Sequence, residues 1–377
     1  MNKTNESLYS ERKARIEAAV KFEDVDMIPC LFMGTAFAPR YMGMSQKEFC
    51  LDATAAVDVT IDAMKKLGDV DGINLMPSGL HPMNLTNLWL SKVLIPGIDL
   101  GDEDLWQVQE KEMMAVEDYD FILENGYPAF LQKIIPQVCD LEMMIQHNEW
   151  NQEYFSGIAG KFRDAGYSVT VSAITTIPFE PICGARSMTK FYFDLYRIPD
   201  KVEEALDSIL PFYIELAKNA TKASGVPCCW VGGWRTASAM LAPQLWDRFV
   251  WPHFKKAAEE LIKEGITPVF HWDQDWTRDL ERILELPAKK CILNLDGMTD
   301  IRKAKDILDD HTALMGDLPS SILSSGTTDE VRNYIRDLIN DVGHKGLILA
   351  PGCDGPLNSK PENMEAFVEA SREFGKC

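Results

Sequence analysis

Short apolar runs that alternate with helical patterns constrain this 377-residue chain more than anything else in it. Five stand in the second half: VPCCWVG (226–232), TPVFHW (267–272), CILNLD (291–296), TALMGD (312–317) and GLILAPG (346–352). Three more stand in the first half: MIPCLFMG (27–34), VDGINLM (70–76) and SVTVSAI (168–174). Continuous runs rich in Val, Ile and Leu suit parallel strands that are covered on both faces. Amphipathic segments separate them and have readable ends. Pro243 occupies a first-turn position, Pro252 should interrupt the helix that follows, and Gly265 closes the segment. In SSGTTDEVRNYIRDLINDVG a Thr cap precedes acidic first-turn residues, and Gly343 ends the run.

Eight such units with crossover connections predict an α/β fold, a (β/α)₈ TIM barrel in one domain spanning residues 1–377. An open doubly wound sheet is disfavoured, because no Gly-rich phosphate or dinucleotide fingerprint follows any strand. Residues 77–166 leave a long gap between the second and third strands. KVLIPG…L reads there as a small hairpin and the acidic remainder as helices, an insertion lying over the catalytic face.

Composition narrows the function. A net charge of −20 excludes nucleic acid and disfavours an anionic membrane surface or a polyanionic substrate. No run of about 20 apolar residues is present to span a bilayer, and the polar amino terminus lacks the apolar core of a secretory signal. A cytoplasmic location is expected. The nine cysteines form no framework and read as buried small side chains, with one or two left for chemistry.

Barrel enzymes carry their chemistry at the carboxyl ends of the strands. That rule selects Gly34, Met76 to Ser78, Thr175 to Glu180, Gly232 to Arg235, His271 to Asp275, Asp296, Asp317, and Cys353 with Asp354. His271 and Asp273 are two apart on an extended stretch and so share a face. With Cys353 they would supply imidazole, carboxylate and thiolate, a three-ligand zinc set with an open position. The ordinary reading of the same residues is a His–Asp hydrogen bond and a packed cysteine. Arg40 and Arg235 are cations suited to a substrate carboxylate or phenolate, or to pairing with surplus acids. Glu180 could act as a base or a ligand, or cap a helix. Trp230, Trp234, Trp272 and Trp276 cluster near two strand ends, where aromatic rings would face a flat apolar substrate or pack in the core.

The chain resembles the uroporphyrinogen decarboxylase superfamily nearly end to end. The resemblance is carried by RKARIEAAVKFEDVDMIPC, by IPFEPICGARSMTKFYFDLYRIPDKVEEAL, by DGMTDIRKAKDIL…GDLPSSILSSGTTDEV and by LILAPGCDGPLNSKPENMEAFVEA. True decarboxylases of that family carry an Arg-Gln-Ala-Gly-Arg-Tyr segment after the first strand and an Asp after the second. This chain keeps only Arg40 and Tyr41 of the former and has NLMPSG for the latter. The cobalamin-dependent methyltransferase branch is the nearer match. Its His-x-Cys pair and later Pro-Gly-Cys turn align with His271, Asp273 and Cys353, so a carboxylate replaces the middle thiolate. The resemblance implies zinc, a small methylated substrate such as an aryl methyl ether, and a corrinoid held by a partner protein. With the strand-end positions, this gives expected roles for Asp273, Glu180 and Arg235 in catalysis and for Arg40, Trp234 and Trp272 in substrate binding. A homodimer is an open expectation. A decarboxylase of a small acid and a non-catalytic tetrapyrrole or corrinoid binder are the alternatives.

Overall fold

The computed structural model describes residues 3–77 and 81–377, so Ser78 lies outside the described residues. Ten strands are found among them. They are β1 (Leu31–Phe32), β2 (Gly72–Leu75), β3 (Lys92–Leu94), β4 (Gln107–Gln109) and β5 (Ser168–Thr176), followed by β6 (Cys228–Gly233), β7 (Thr267–Trp272), β8 (Ile292–Leu295), β9 (Ala313–Leu318) and β10 (Leu347–Pro351). Eight of them form one parallel sheet in the order β1-β2-β5-β6-β7-β8-β9-β10. Cys30, just ahead of β1, bridges Leu349 of β10, and the Leu349 N–H donates to the Pro29 carbonyl at 2.8 Å. First and last strands therefore meet, and the architecture is a (β/α)₈ barrel. Each of the eight apolar runs carries one barrel strand.

Alternation along the strands sorts the side chains. Leu31, Val269, Ile292, Met315 and Ile348 fill the bore. Phe32, Ile73, Phe270, Leu293, Leu314 and Leu349 face out and pack under the helices. The amino-terminal helix Asn5–Val20 and the turn after it add Ile16, Ala19 and Phe22 to the bore cluster, which stoppers the barrel's lower end. The helix interruption falls where Pro252 requires it: one helix ends at Phe249 and the next, Trp251–Lys263, takes the proline in its first turn. Thr327 and Glu330 form a reciprocal capping box at the start of Thr328–Val342.

Between β2 and β5 run the helix Pro82–Trp89, the hairpin of β3 and β4, and the helices Asp118–Asn125, Tyr127–Val138 and Leu141–Asp164. The return strand of the hairpin lies further along than the sequence suggested. Leu100 makes only an isolated bridge to Pro96, and Val93 pairs instead with Val108. A three-residue strand with glutamines at both ends gives no apolar run to recognise. This segment is latched to the barrel beside the helix Phe179–Arg186: the Met113 and Met114 N–H groups donate to the Ala185 carbonyl at 2.7 and 2.8 Å. Gly184 sits at the contact, where a Cβ would come within 1.8 Å of the Trp89 carbonyl oxygen. Only glycine permits that approach. No helix among the described residues is long and apolar enough to cross a membrane.

Candidate metal centre

On β7 the period of two turns Val269 and His271 into the bore and Phe270 and Trp272 outward. Asp273 follows on the same face as His271, held by its N–H bonding the Gly233 carbonyl at 3.0 Å. Cys353 comes two residues after β10. Its neighbour Asp354 fixes the turn by accepting from the Thr35 N–H at 2.6 Å, the Thr35 hydroxyl at 2.6 Å and the Ala36 N–H at 3.0 Å. One ligand atom from each of His271, Asp273 and Cys353 lies within 4.8 Å of the others, and this is the one such group among the described residues. His271 Nε2 stands 3.3 Å from Asp273 Oδ1. A tetrahedral zinc ion, with bonds of about 2.0 to 2.3 Å, sets its ligand atoms roughly 3.3 to 3.8 Å apart. The donor set fits zinc with a small contraction on the sulfur side.

The opposite ring nitrogen, Nδ1, lies 2.8 Å from Asn294 Oδ1. Asn294 also accepts from Asn74 Nδ2 at 3.0 Å and donates from Nδ2 to the Met315 carbonyl at 3.2 Å. Burial alone would hold the imidazole below its ordinary pKa. The Asp273 carboxylate and the Cys353 sulfur outweigh burial and raise it well above. Burial raises the Cys353 thiol, and the Asp273 charge raises it further against the hydrogen bond from His271.

Above these three residues opens a cavity of about 310 Å³. Its walls are apolar and aromatic: Trp230 and Trp234 from β6 and the loop after it, and Trp89, Trp106, Leu85 and Leu105 from the inserted segment. Trp89 meets Trp234 edge-on at 5.9 Å and lies tilted against Trp106 at 6.0 Å. Trp230 stands edge-on to His271 at 4.4 Å. No lysine or arginine lines the cavity among the described residues.

The other expected residues divide. Glu180 reaches the cavity from the helix Phe179–Arg186. Its Oε1 accepts from the Trp234 N–H at 2.7 Å, the Thr236 N–H at 3.0 Å and the Thr236 hydroxyl at 2.8 Å, which shapes the loop after β6. Its Oε2 has no hydrogen-bond donor among the described residues and faces Arg235 Nη1 at 3.8 Å. Burial raises the Glu180 pKa despite that cation. Arg235 is fully buried behind Trp234, stacked 4.4 Å from its ring, and lies between Glu180 and Glu110. Two expectations need correction. Arg40 is exposed and lies outside the cavity, donating to the Leu357 carbonyl at 2.8 Å, because its helix turns Phe37, Ala38 and Pro39 inward. Trp272 is not at the mouth either: strand alternation sends it outward to stack on Trp276 at 4.3 Å and pack on Phe254. Trp89, Trp106 and Asn294 went unread. The tryptophans sit in the insertion, far in sequence from the ends of the barrel strands, whereas an asparagine inside CILNLD was a visible signal.

Residues 110–374 match the family model described as uroporphyrinogen decarboxylase (URO-D). The uroporphyrinogen decarboxylases of Geobacter metallireducens and Geobacter sulfurreducens are each 23% identical over 357 residues, covering 92% of this chain and 94% of theirs. Among solved structures, a methyltransferase from Methanosarcina mazei superposes with a TM-score of 0.73 at 17% identity, covering 96% of this chain and 98% of that one. At that identity the likeness concerns the fold. The family match spans well over half the sequence, and the chain belongs to the uroporphyrinogen decarboxylase family.

Proposed function

We propose that this protein is a methyltransferase that moves a methyl group between a small methylated substrate and a corrinoid carried by a partner protein. The observation that carries the reading is the convergence of His271, Asp273 and Cys353 at the base of a tryptophan-walled cavity. Zinc bound by these three side chains would supply Lewis acidity toward an oxygen ligand, since one thiolate is replaced by a harder carboxylate. An aryl methyl ether would suit a cavity of about 310 Å³ with tryptophan walls. Trp89, Trp106, Trp230 and Trp234 would stack or edge its ring and exclude water from the methyl group. Glu180 Oε2, without a hydrogen-bond donor among the described residues, would accept from a polar ring substituent. Arg235 acts through Trp234 and Glu180 rather than on the substrate. In demethylation the methyl–oxygen bond breaks with its electron pair left on oxygen, and the electron pair of the corrinoid's cobalt(I) forms the new bond to carbon.

Decarboxylation of a small acid is supported less well. That chemistry calls for cations facing the substrate, and the cavity offers none among the described residues. The test is metal analysis coupled to methyl transfer from aryl methyl ethers to a cobalt(I) corrinoid protein. One zinc per chain is expected. Asp273→Ala and Cys353→Ala should lose it together with about two to four orders of magnitude in rate. Full activity in zinc-free protein and in both variants would overturn the proposal.

A further inference from the structure

Two asparagines, Asn74 and Asn294, enter the largely apolar bore beneath His271, each about 1% exposed. They come from β2 and β8, which stand four places apart in a ring of eight strands and so on opposite walls. Asn74 Nδ2 nevertheless reaches Asn294 Oδ1 at 3.0 Å, so the pair spans the bore beneath the cavity. The contacts fix which way the Asn294 amide points. Turned over, its oxygen would oppose the Met315 carbonyl and its NH₂ would oppose that of Asn74, and both hydrogen bonds would become repulsions. As placed, Oδ1 faces His271 Nδ1 at 2.8 Å and can only accept. The nitrogen at Nδ1 must carry the proton, which leaves Nε2 as the atom directed at Asp273 and Cys353.

We infer that Asn294, braced across the barrel by Asn74, is a positioning residue that keeps the proton of His271 on Nδ1 and presents Nε2 to the cavity as the donor atom. The inference rests on the reading of His271 as a metal ligand for its use, but not for its geometry. An asparagine serves here where a carboxylate is the common partner of a ligating histidine. It orients the ring without adding charge, so zinc with His271, Asp273 and Cys353 would form a site of zero net charge.

The test uses two readouts on the full chain. In metal-free protein labelled with ¹⁵N-histidine, the Nδ1–H of His271 should give a low-field, slowly exchanging resonance, assigned by its loss in His271→Gln. It should survive in Asn294→Asp, which keeps the acceptor, and vanish in Asn294→Leu, which keeps only the shape. In chelator competition, Asn294→Leu should bind zinc about 10- to 100-fold more weakly, with Asn294→Asp close to the parent. Should Asn294→Leu not fold, Asn74→Ala replaces it, and faster exchange of the same resonance is expected. A resonance absent from the parent, or unchanged in the Leu and Ala variants, overturns the inference. A parent protein that takes up no zinc while showing this resonance pattern removes the metal reading and leaves the positioning role standing.

Discussion

The two ends of this barrel bury the same kinds of charged group and treat them oppositely. At the closed end Asp71, just ahead of β2, is fully buried and fully paired. Its carboxylate accepts from Arg15, from Arg372 at 2.9 Å and from the Cys30 N–H at 2.7 Å, and Arg15 also binds Asp26 at 2.7 Å. The Arg15 hydrogen bond holds the Asp26 carboxyl below its usual range. At the mouth, Glu180 Oε2 and all three guanidinium nitrogens of Arg235 lack a hydrogen-bond partner among the described residues. A buried polar group without a partner costs stability. The closed end therefore ties the first and last helices to β2, while the mouth leaves an acceptor, Glu180 Oε2, on a residue that lines the cavity.

The largest effect that could break this contrast is expected at the closed end. Arg15→Met leaves Asp71 with one cation and releases Asp26, so unfolding free energy in urea should drop by about 3 to 5 kcal/mol, with zinc uptake unchanged. A loss under about 1 kcal/mol would mean the network contributes no more than a surface pair. At the mouth the sign reverses. Asp317, next to the last residue of β9, is 3% exposed and accepts from the Tyr334 hydroxyl at 2.8 Å. Burial raises its pKa to about 6, against roughly 4 in the unfolded chain. The folded state thus holds this proton more tightly, and its stability falls as pH rises from about 4 to 6, then stays lower. Asp317→Asn keeps the acceptor and removes the charge. It should match the parent near pH 4 and exceed it at pH 7 by up to about 3 kcal/mol, read from melting curves across that range.

The same contrast explains what was legible in the sequence. Strand positions, the Thr327 cap and the break before Pro252 are local, decided by hydrophobic runs and by the chemistry of single residues. His271 and Asp273 were legible because strand period puts them on one face, and Cys353 because it follows the last strand by two residues. The same period would have sent Trp272 outward, but a rule that selects strand ends does not ask which face a side chain takes. Arg235 shows the limit of that rule from the other side: it is at a strand end, yet it stands behind Trp234. Trp89 and Trp106 depend on how the inserted segment docks. That docking turns on a backbone approach at Gly184 that no spacing in the sequence announces.

A smaller effect sharpens the contrast through protons. For zinc to bind, His271 must be neutral at Nε2 and Cys353 must be a thiolate, yet both hold their protons more tightly than usual. Binding must then release protons, and affinity must climb as pH rises toward the values at which these groups lose them. Each proton released makes the affinity rise about tenfold per pH unit, or about 1.4 kcal/mol. Chelator competition between pH 6 and 8 measures the slope, and calorimetry in buffers of different ionisation enthalpy counts the protons. Cys353→Ser should remove part of the slope together with much of the affinity. Arg15→Met, 56 residues before Asp71 and at the far end of the bore, should leave the slope as it is. A slope that changed in the Arg15 variant would mean the two ends are coupled, and the division between a paired end and an unpaired one would no longer hold.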